Sequence, residues 1–481
     1  MELSTIKTLL IQKDHVKLID KIKATRDTSD ESFKQYQPEN HKVIDPLYRK
    51  KREITVDSGE RDAEGNLKKD NEGEPLTKTI HEEVSRITTA AQKQIVDWAV
   101  QIAAGVPVEA YAKPEGADQE TMYGMVKKTL KDNKIEFLDQ EILRLRAIYK
   151  ICAEIWYEED AAKGYWGKLG NGKKKMSLMI MSEESGDLLY PIRNNVGKMI
   201  ALGRAYILKD DEDKDINMFD IYFADYVLTY AEIGGWKLDK SFKIPYGKAN
   251  FIVHEQARTE WEDVQGKIER LENLDSNQAD QNDATGSPII VASKLLGLSR
   301  RGETGKIFET DEGGDIKILE AAGAPEAMRM ERENLVKGIF DETNTPQISF
   351  SEAQGFGANV PGITIKLLFL PATLKALGKQ SGGWGMSVQR RFNFLMAAMA
   401  YINPTVKSAV EMDISPKFSI YMPENITEKY DNIVKLVAAG LVSKVTAIKM
   451  LGLVDDAEAE WKAIQTEAKL LAEAAPKPIA A

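Results

Sequence analysis

One connection between two well-formed helical patterns constrains this chain most. Residues 325–342 read as an amphipathic helix: Pro325 sits at a first helical position and Glu326 in the first turn meets the helix dipole. Met328, Leu335, Val336, Ile339 and Phe340 fall on one face, and Arg329, Arg332, Glu333 and Lys337 on the other. From Asn344 to Gly362 all periodicity stops, in a run that holds the breakers Pro346, Gly355, Gly357, Pro361 and Gly362. An apolar helical face resumes at Ile363, with a bend expected at Pro371, and continues to the basic-aromatic run Arg390-Arg391-Phe392-Asn393-Phe394. A structureless connection of this length inside a compact domain is uncommon and usually functional. The plain alternative is a flexible surface loop.

With 481 residues, the chain is long enough for two or more cores. Charged residues at 29% and hydrophobic residues at 43% are ordinary for a globular protein, and the formal charge of -10 argues against whole-surface attraction to nucleic acid or an anionic membrane. A duplex passing through without being gripped stays compatible with that charge. Cys152 is the single cysteine, which excludes an internal disulfide framework and fits a reducing compartment. The start, Met-Glu-Leu-Ser-Thr-Ile-Lys, lacks a signal-peptide core, and no run reaches the ~20 apolar residues of a membrane helix. The expectation is a soluble protein made inside the cell, with no membrane partner.

Along the chain, a first helix is expected over residues 4–25 and a loop with a hairpin over 27–82. Helices are expected over 92–104 and 136–157, the second carrying Leu138, Ile142, Leu145, Ile148, Tyr149, Cys152, Ile155 and Trp156 at helical period. Residues 176–243 change to short β-prone runs around 178–181, 204–208, 217–223 and 226–230. Pro245-Tyr-Gly247 is read as the close of this part, so the N-terminal half is α+β. An acidic helix follows over 255–283, with Glu255, Glu260, Glu262, Asp263, Glu269, Glu272, Asp275, Asp280 and Asp283 answered in sequence only by Arg258, Lys267 and Arg270. A β-rich insert comes next, at 289–291, 306–308 and 316–319. Residues 412–423 alternate as a returning strand. From 424 the chain reads as helical, with Gly440 and Gly452 past helix ends, Ser443 at an N-cap and a frayed end after Ala475.

No catalytic constellation is legible. Gly167-x-x-x-x-Gly172-Lys173 is followed by Lys174 where a P-loop needs a hydroxyl, Gly302 to Lys306 lacks the first glycine, and Gly355-x-Gly357 has Val360 in place of a third glycine. The histidines His15, His41, His81 and His254 are scattered, and His254-Glu-Gln-Ala-Arg258 lacks a second metal-binding histidine. Cys152 reads as a buried packing residue, and Glu183-Glu184 and Asp455-Asp456 as a solvated face and a helix start. No metal or cofactor is expected.

The order of elements resembles the portal proteins of tailed bacteriophages, of the siphophage type with wing, stem, clip and crown. The likeness is carried by Asn40-His41-Lys-Val-Ile44, by the helix from Val84 that passes Ile95-Val-Asp97 and reaches Gly105-Val-Pro107, and by Ile244-Pro-Tyr-Gly-Lys248. It continues in Pro361-Gly-Ile-Thr-Ile-Lys-Leu-Leu-Phe-Leu370, then in Gly440-Leu-Val-Ser-Lys-Val-Thr-Ala-Ile448 and Val454-Asp-Asp456. Two departures stand out. Gly382-Gly-Trp-Gly385 interrupts what the family keeps as a continuous core helix, and Pro361 replaces a small polar residue.

The resemblance implies an α+β fold. It places a wing at 1–250, stem helices at 251–284 and 321–343, and a small α/β clip at 285–320. A tunnel loop follows at 344–362, a kinked core helix with returning strand at 363–423, and a helical crown at 424–481. It implies a homo-oligomeric ring, usually of twelve copies, at one capsid vertex of the virion, assembled in the bacterial cytoplasm. Double-stranded DNA would pass through it during packaging and ejection. The terminase large subunit, a head-tail adaptor, and the major capsid and scaffolding proteins are the implied partners, with ATP hydrolysis left to terminase. Twelve helices at ~10 Å spacing enclose a hole of ~28 Å, wide enough for a duplex. In this mapping Gln347, Ser349, Ser351, Gln354 and Asn359 give the channel neutral polar contacts, and Gly355 and Gly357 give mobility. Strong Lys or Arg contacts to phosphate would hold DNA instead of letting it slide. Lys294, Arg300, Arg301 and Lys306 cluster in the clip as a partner- or DNA-facing edge, with a solvated turn as the alternative. Arg390 and Arg391 are expected to point toward a neighbouring subunit or DNA, with pairing across a subunit boundary preferred, and Phe392 and Phe394 to turn inward. A virion scaffold or adaptor without a channel, and an enzyme with dispersed catalytic residues, are the competing readings.

Overall fold

The computed structural model describes residues 2–28, 30–60, 68–69, 76–285, 289–292, 316–319, 325–347, 362–420, 426–454 and 456–474. The chain divides into two compact units, Met1–Thr345 with Leu374–Ile420, and Pro346–Thr373 with Tyr421–Ala481.

The first unit is built on antiparallel sheets, as its alternating and β-branched runs require. Five strands, β6 (Leu188–Arg193), β7 (Met199–Lys209), β8 (Asp215–Tyr222), β9 (Tyr226–Glu232) and β10 (Trp236–Lys243), pair in sequence order. Both faces of this sheet are covered. On one face lie α1 (Leu3–Ile11) and α2 (His15–Lys23), whose Ile6, Leu9, Leu18, Ile19 and Ile22 pack with Tyr190, Phe219, Ile221 and Tyr230. Gly203 on β7 makes this approach possible, because a Cβ there would meet Ile22 Cγ2 at 2.8 Å. The single helix expected over 4–25 is therefore two. Lys13 takes a left-handed φ of 54°, and the Asp14 side chain caps α2 by accepting from Lys17 N at 3.1 Å.

On the opposite face Leu189, Leu202, Tyr222 and Val227 pack on a three-stranded sheet ordered β11 (Phe251–Glu255), β4 (Ile151–Asp160), β5 (Lys174–Met181). This sheet corrects two expectations. The helix expected to reach residue 157 stops as α5 (Ile135–Tyr149), Lys150 turns at φ 65°, and Ile151 to Trp156 continue as a strand buried on both sides. Apolar residues in both phases satisfy helical and extended periods alike, so periodicity alone misassigns them. Cys152 is buried as expected, but on β4; its Sγ donates to Ile142 O at 3.4 Å, and burial pushes the thiol up. Nor does Pro245-Tyr-Gly247 close this part, since β11 returns to pair with β4, Phe251 opposite Ile155.

Around the sheets lie α3 (Ala91–Ala104) and α4 (Ala117–Asp132), the latter not anticipated from sequence. The hairpin expected within 27–82 is present as β1 (Arg52–Asp57) paired with β2 (Thr77–Glu82). The acidic segment begins late: Glu255 ends β11, Glu262–Val264 is a 3-10 turn, and α6 spans Gln265–Thr285. In the insert β12 (Ile289–Ala292) pairs with β13 (Ile316–Leu319), and residues 306–308 lie outside the described residues. Then comes α7 (Pro325–Glu342), with the bounds its sequence predicts. The next helix, α8 (Gly362–Ser381), contains Pro371, and the chain breaks at Gly382 before α9 (Gly383–Ile402). Glycine is required at this break: a Cβ on Gly385 would lie 1.8 Å from Gln380 O, and one on Gly382 2.7 Å from Gly378 O. The returning strand is shorter than its alternation suggests. Only β14 (Ser415–Lys417) forms among the described residues, paired with β3 (Glu109–Tyr111), after a 3-10 segment over Pro404–Glu411.

The second unit contains α10 (Ile426–Ala438), α11 (Lys444–Leu451) and α12 (Ala457–Ala474). Ser443 caps α11 as its sequence predicts, its Oγ accepting from Thr446 N at 3.2 Å, and Lys444 Nζ lies 5.2 Å from the Trp461 ring.

Candidate functional site: the α6–α7 pair and its ionic anchors

The acidic helix α6 does not present its carboxylates as a bare strip. One face accepts an extended segment, residues 85–89, which has no strand partner for its N–H groups. Glu272, Ser276 and Asp280, four residues apart, take N–H bonds from Thr89 at 3.0 Å, Ile87 at 2.9 Å and Ser85 at 2.8 Å. Steps of four on a helix and of two along an extended chain are nearly equal in length, which sets this antiparallel register. Arg49 adds bonds to Asp280 Oδ2 at 2.5 Å and Asn277 Oδ1 at 2.8 Å, and Lys42 pairs with Glu269 at 3.0 Å.

His41 is buried against the same face, with Nδ1 2.5 Å from Glu272 Oε1 and Nε2 2.8 Å from Gln35 O. Acceptors at both ring nitrogens favour the imidazolium. Burial lowers its pKa, but the Glu272 bond and charge outweigh burial and raise it. The stabilisation is therefore full below the ordinary histidine range and is lost as pH rises through the raised value.

The other face of α6 meets α7. Arg332 pairs with Asp275 at 2.9 Å, Arg270 with Glu331 at 2.8 Å, and Lys267 with Glu342. The expectation that only Arg258, Lys267 and Arg270 answer the acids is thus corrected, because Lys42, Arg49, Arg332 and His41 arrive from elsewhere in the fold.

At the end of α7, Thr343 and Thr345 are buried with their hydroxyls 2.9 Å apart, and Thr345 N donates to Phe340 O at 2.8 Å. Lys375 on α8 donates to Thr343 O at 2.9 Å and pairs with Glu260 Oε2 at 2.8 Å, while Lys379 takes the other Glu260 oxygen. Glu260 therefore links α8 to the end of α7 by way of Lys375. Burial pushes this carboxyl up, but the two ammonium groups outweigh burial and hold it at about 2. Its contribution is present above the ordinary glutamate range and is lost as pH falls through that range toward 2. Replacing Glu260 by glutamine leaves two cations on one neutral amide. The expected cost is about 2–3 kcal/mol, because Lys375 retains some water contact, and it is measured by urea unfolding at pH 7.

Of the channel residues predicted from sequence, Gln347 is described and exposed. Ser349, Ser351, Gln354, Gly355, Gly357 and Asn359 lie outside the described residues, as do Lys294, Arg300, Arg301 and Lys306. Arg390 is exposed on α9, and Phe392 and Phe394 turn inward as expected.

Arg391 is a correction: it is fully buried inside its own subunit and is not available to a neighbour. Its Nε donates to Glu154 Oε2 at 2.9 Å, and its Nη2 donates to Glu154 Oε1 at 2.6 Å and Asp139 Oδ1 at 2.7 Å. Glu154 also accepts from Trp156 Nε1 at 3.0 Å, and its Oε1 lies 2.6 Å from His254 Nε2. Burial pushes Glu154 up, but Arg391 and His254 overcome it and hold the carboxyl at about 2. The signal available in sequence was a lone acid inside the apolar run Ile151-Cys-Ala-Glu-Ile-Trp156, which needs a buried partner in any structure.

The described residues define an α+β chain with antiparallel sheets, an ion-paired α6–α7 pair, and two successive helices, α8 and α9, separated at Gly382. The chain belongs to the phage portal proteins of the SPP1 Gp6-like family, whose family model matches residues 17–473. Two solved structures are also similar to it. One is the neck of an empty GTA particle computed with C6 symmetry, at 10% identity and a TM-score of 0.39, covering 76% of this chain and 90% of that chain. The other is the virion of a native gene transfer agent (GTA) particle, at 9% identity and a TM-score of 0.38, covering 76% of this chain and 90% of that chain. No curated protein matches the chain.

Proposed function

We propose that copies of this chain close into a ring at one capsid vertex of a virion and pass double-stranded DNA through its centre. The observation that carries self-association is a stripe on α8. Leu367, Leu370, Leu374 and Leu377, spaced 3, 4 and 3 residues apart, are 44–61% exposed, whereas Phe369, Ala372 and Ala376 on the opposite side are buried. Four exposed leucines in a helix-packing register call for a covering surface, and in a homo-oligomer that surface is a second copy. Family membership supports the same reading.

In this reading α6 and α7 form the stem, residues 285–320 the clip that docks the terminase large subunit and then the head-tail adaptor, and 344–362 the tunnel loop. Capsid and scaffolding proteins surround the ring, twelve subunits is the expected number, and assembly takes place in the host cytoplasm. Arg390, exposed beside the buried Phe392, faces a neighbouring copy. Lys294, Arg300, Arg301 and Lys306 face the docking partner or DNA. The protein performs no chemistry of its own. Glu260 and its two lysines join Thr343 to α8 without using any residue of 349–359. Deleting residues 349–359 is therefore expected to leave assembly intact and to reduce packaged DNA at least about tenfold, measured as nuclease-protected DNA per particle. Normal packaging by that deletion rules out the channel role of the loop.

A further inference from the structure

Arg146 on α5 is only 7% exposed, and its Nε and Nη1 are buried without a hydrogen-bond partner. Glu260, the carboxylate whose charge acts most on Arg146, is already held by Lys375 and Lys379. Glu255, the other acid whose field reaches Arg146, pairs at the surface with Arg193. A buried guanidinium in such surroundings is unfavourable unless an anion completes it, and burial lowers the Arg146 pKa despite Glu260. Arg146 also lies next to a surface glycine. Its Nη2 lies 3.6 Å from where a Cβ of Gly383 would stand, and Gly383 is exposed at the break between α8 and α9.

We propose that the unpartnered Arg146 guanidinium is an oxyanion-binding site, filled from outside the subunit past Gly383. Phosphate and carboxylate share the required chemistry, since either offers paired acceptor oxygens to a guanidinium fork. The first would come from solution and the second from an acidic side chain of another copy of this chain.

The test compares the full-length protein with Arg146→Met. Thermal unfolding is followed while inorganic phosphate is titrated against sodium chloride at equal ionic strength, and the assembled fraction is read by sedimentation. A rise of about 3 °C with phosphate in the wild type, absent in R146M, assigns the site to a free oxyanion. No phosphate response, with at least about a tenfold loss of assembly in R146M, assigns it to a carboxylate of a second copy. R146M matching the wild type in both measurements overturns the proposal. Should R146M fail to fold, Arg146→Gln is read by the same two measurements.

Discussion

Replacing Arg391 by methionine is expected to destabilise the first unit by about 3–5 kcal/mol, a large fraction of the ~5–15 kcal/mol that holds a typical protein folded. The reason is what stays behind. Glu154 and Asp139 lose the cation whose N–H groups they accept, in a site with no solvent exposure at Arg391. Methionine fills the volume, so the loss isolates charge and hydrogen bonding from packing. Adding Glu154→Gln and Asp139→Asn to the same chain should recover about half of the stability, because the uncompensated carboxylates are then gone. Acid should weaken the wild type at the same place. Glu154 is depressed to about 2, so its contribution is present above the ordinary glutamate pKa and declines as pH falls from about 4.5 toward 2. Denaturant midpoints of the single and triple variants at pH 7 check the first claim. A single variant with an unchanged midpoint would show that the cluster contributes nothing.

Glutamate at Leu370 and Leu374 together is expected to abolish assembly while leaving the subunit folded. These side chains are 44% and 58% exposed in the isolated subunit, so their replacement costs the monomer little. Across an interface, losing two half-buried leucines and desolvating two carboxylates amounts to about 2–4 kcal/mol per contact. That corresponds to about 30- to 1,000-fold in each dissociation constant, and in a closed ring every subunit is weakened at two contacts. Sedimentation at micromolar concentration should give a monomer with wild-type circular dichroism. A full-sized assembly from this double variant would place the stripe outside the subunit boundary.

What sequence could reveal depended on whether one period or two fitted the residues. The bounds of α7 follow from Pro325 and a clean amphipathic pattern, and the C-terminal helices follow from Ser443 and the two glycines. The break at Gly382 was visible as three glycines in four positions. The α5–β4 junction was not visible, because Ile151 to Trp156 is apolar on both phases and the turn is made by a lysine at φ 65°. Electrostatics was the least legible level. The acids of α6 looked unanswered because their partners, His41, Lys42, Arg49 and Arg332, lie between 57 and 231 residues away along the chain. Arg391 looked like a surface cation because its neighbour Arg390 is one. Helical phase separates the two by about a quarter turn, enough to bury one and expose the other.

The central idea, subunits enclosing a passage, is tested most directly by electron-microscope images of the purified protein viewed down its symmetry axis. Closed circular particles with an open middle about as wide as a DNA duplex are the expected result. Solid particles, open filaments or isolated subunits across a range of salt concentrations would contradict it.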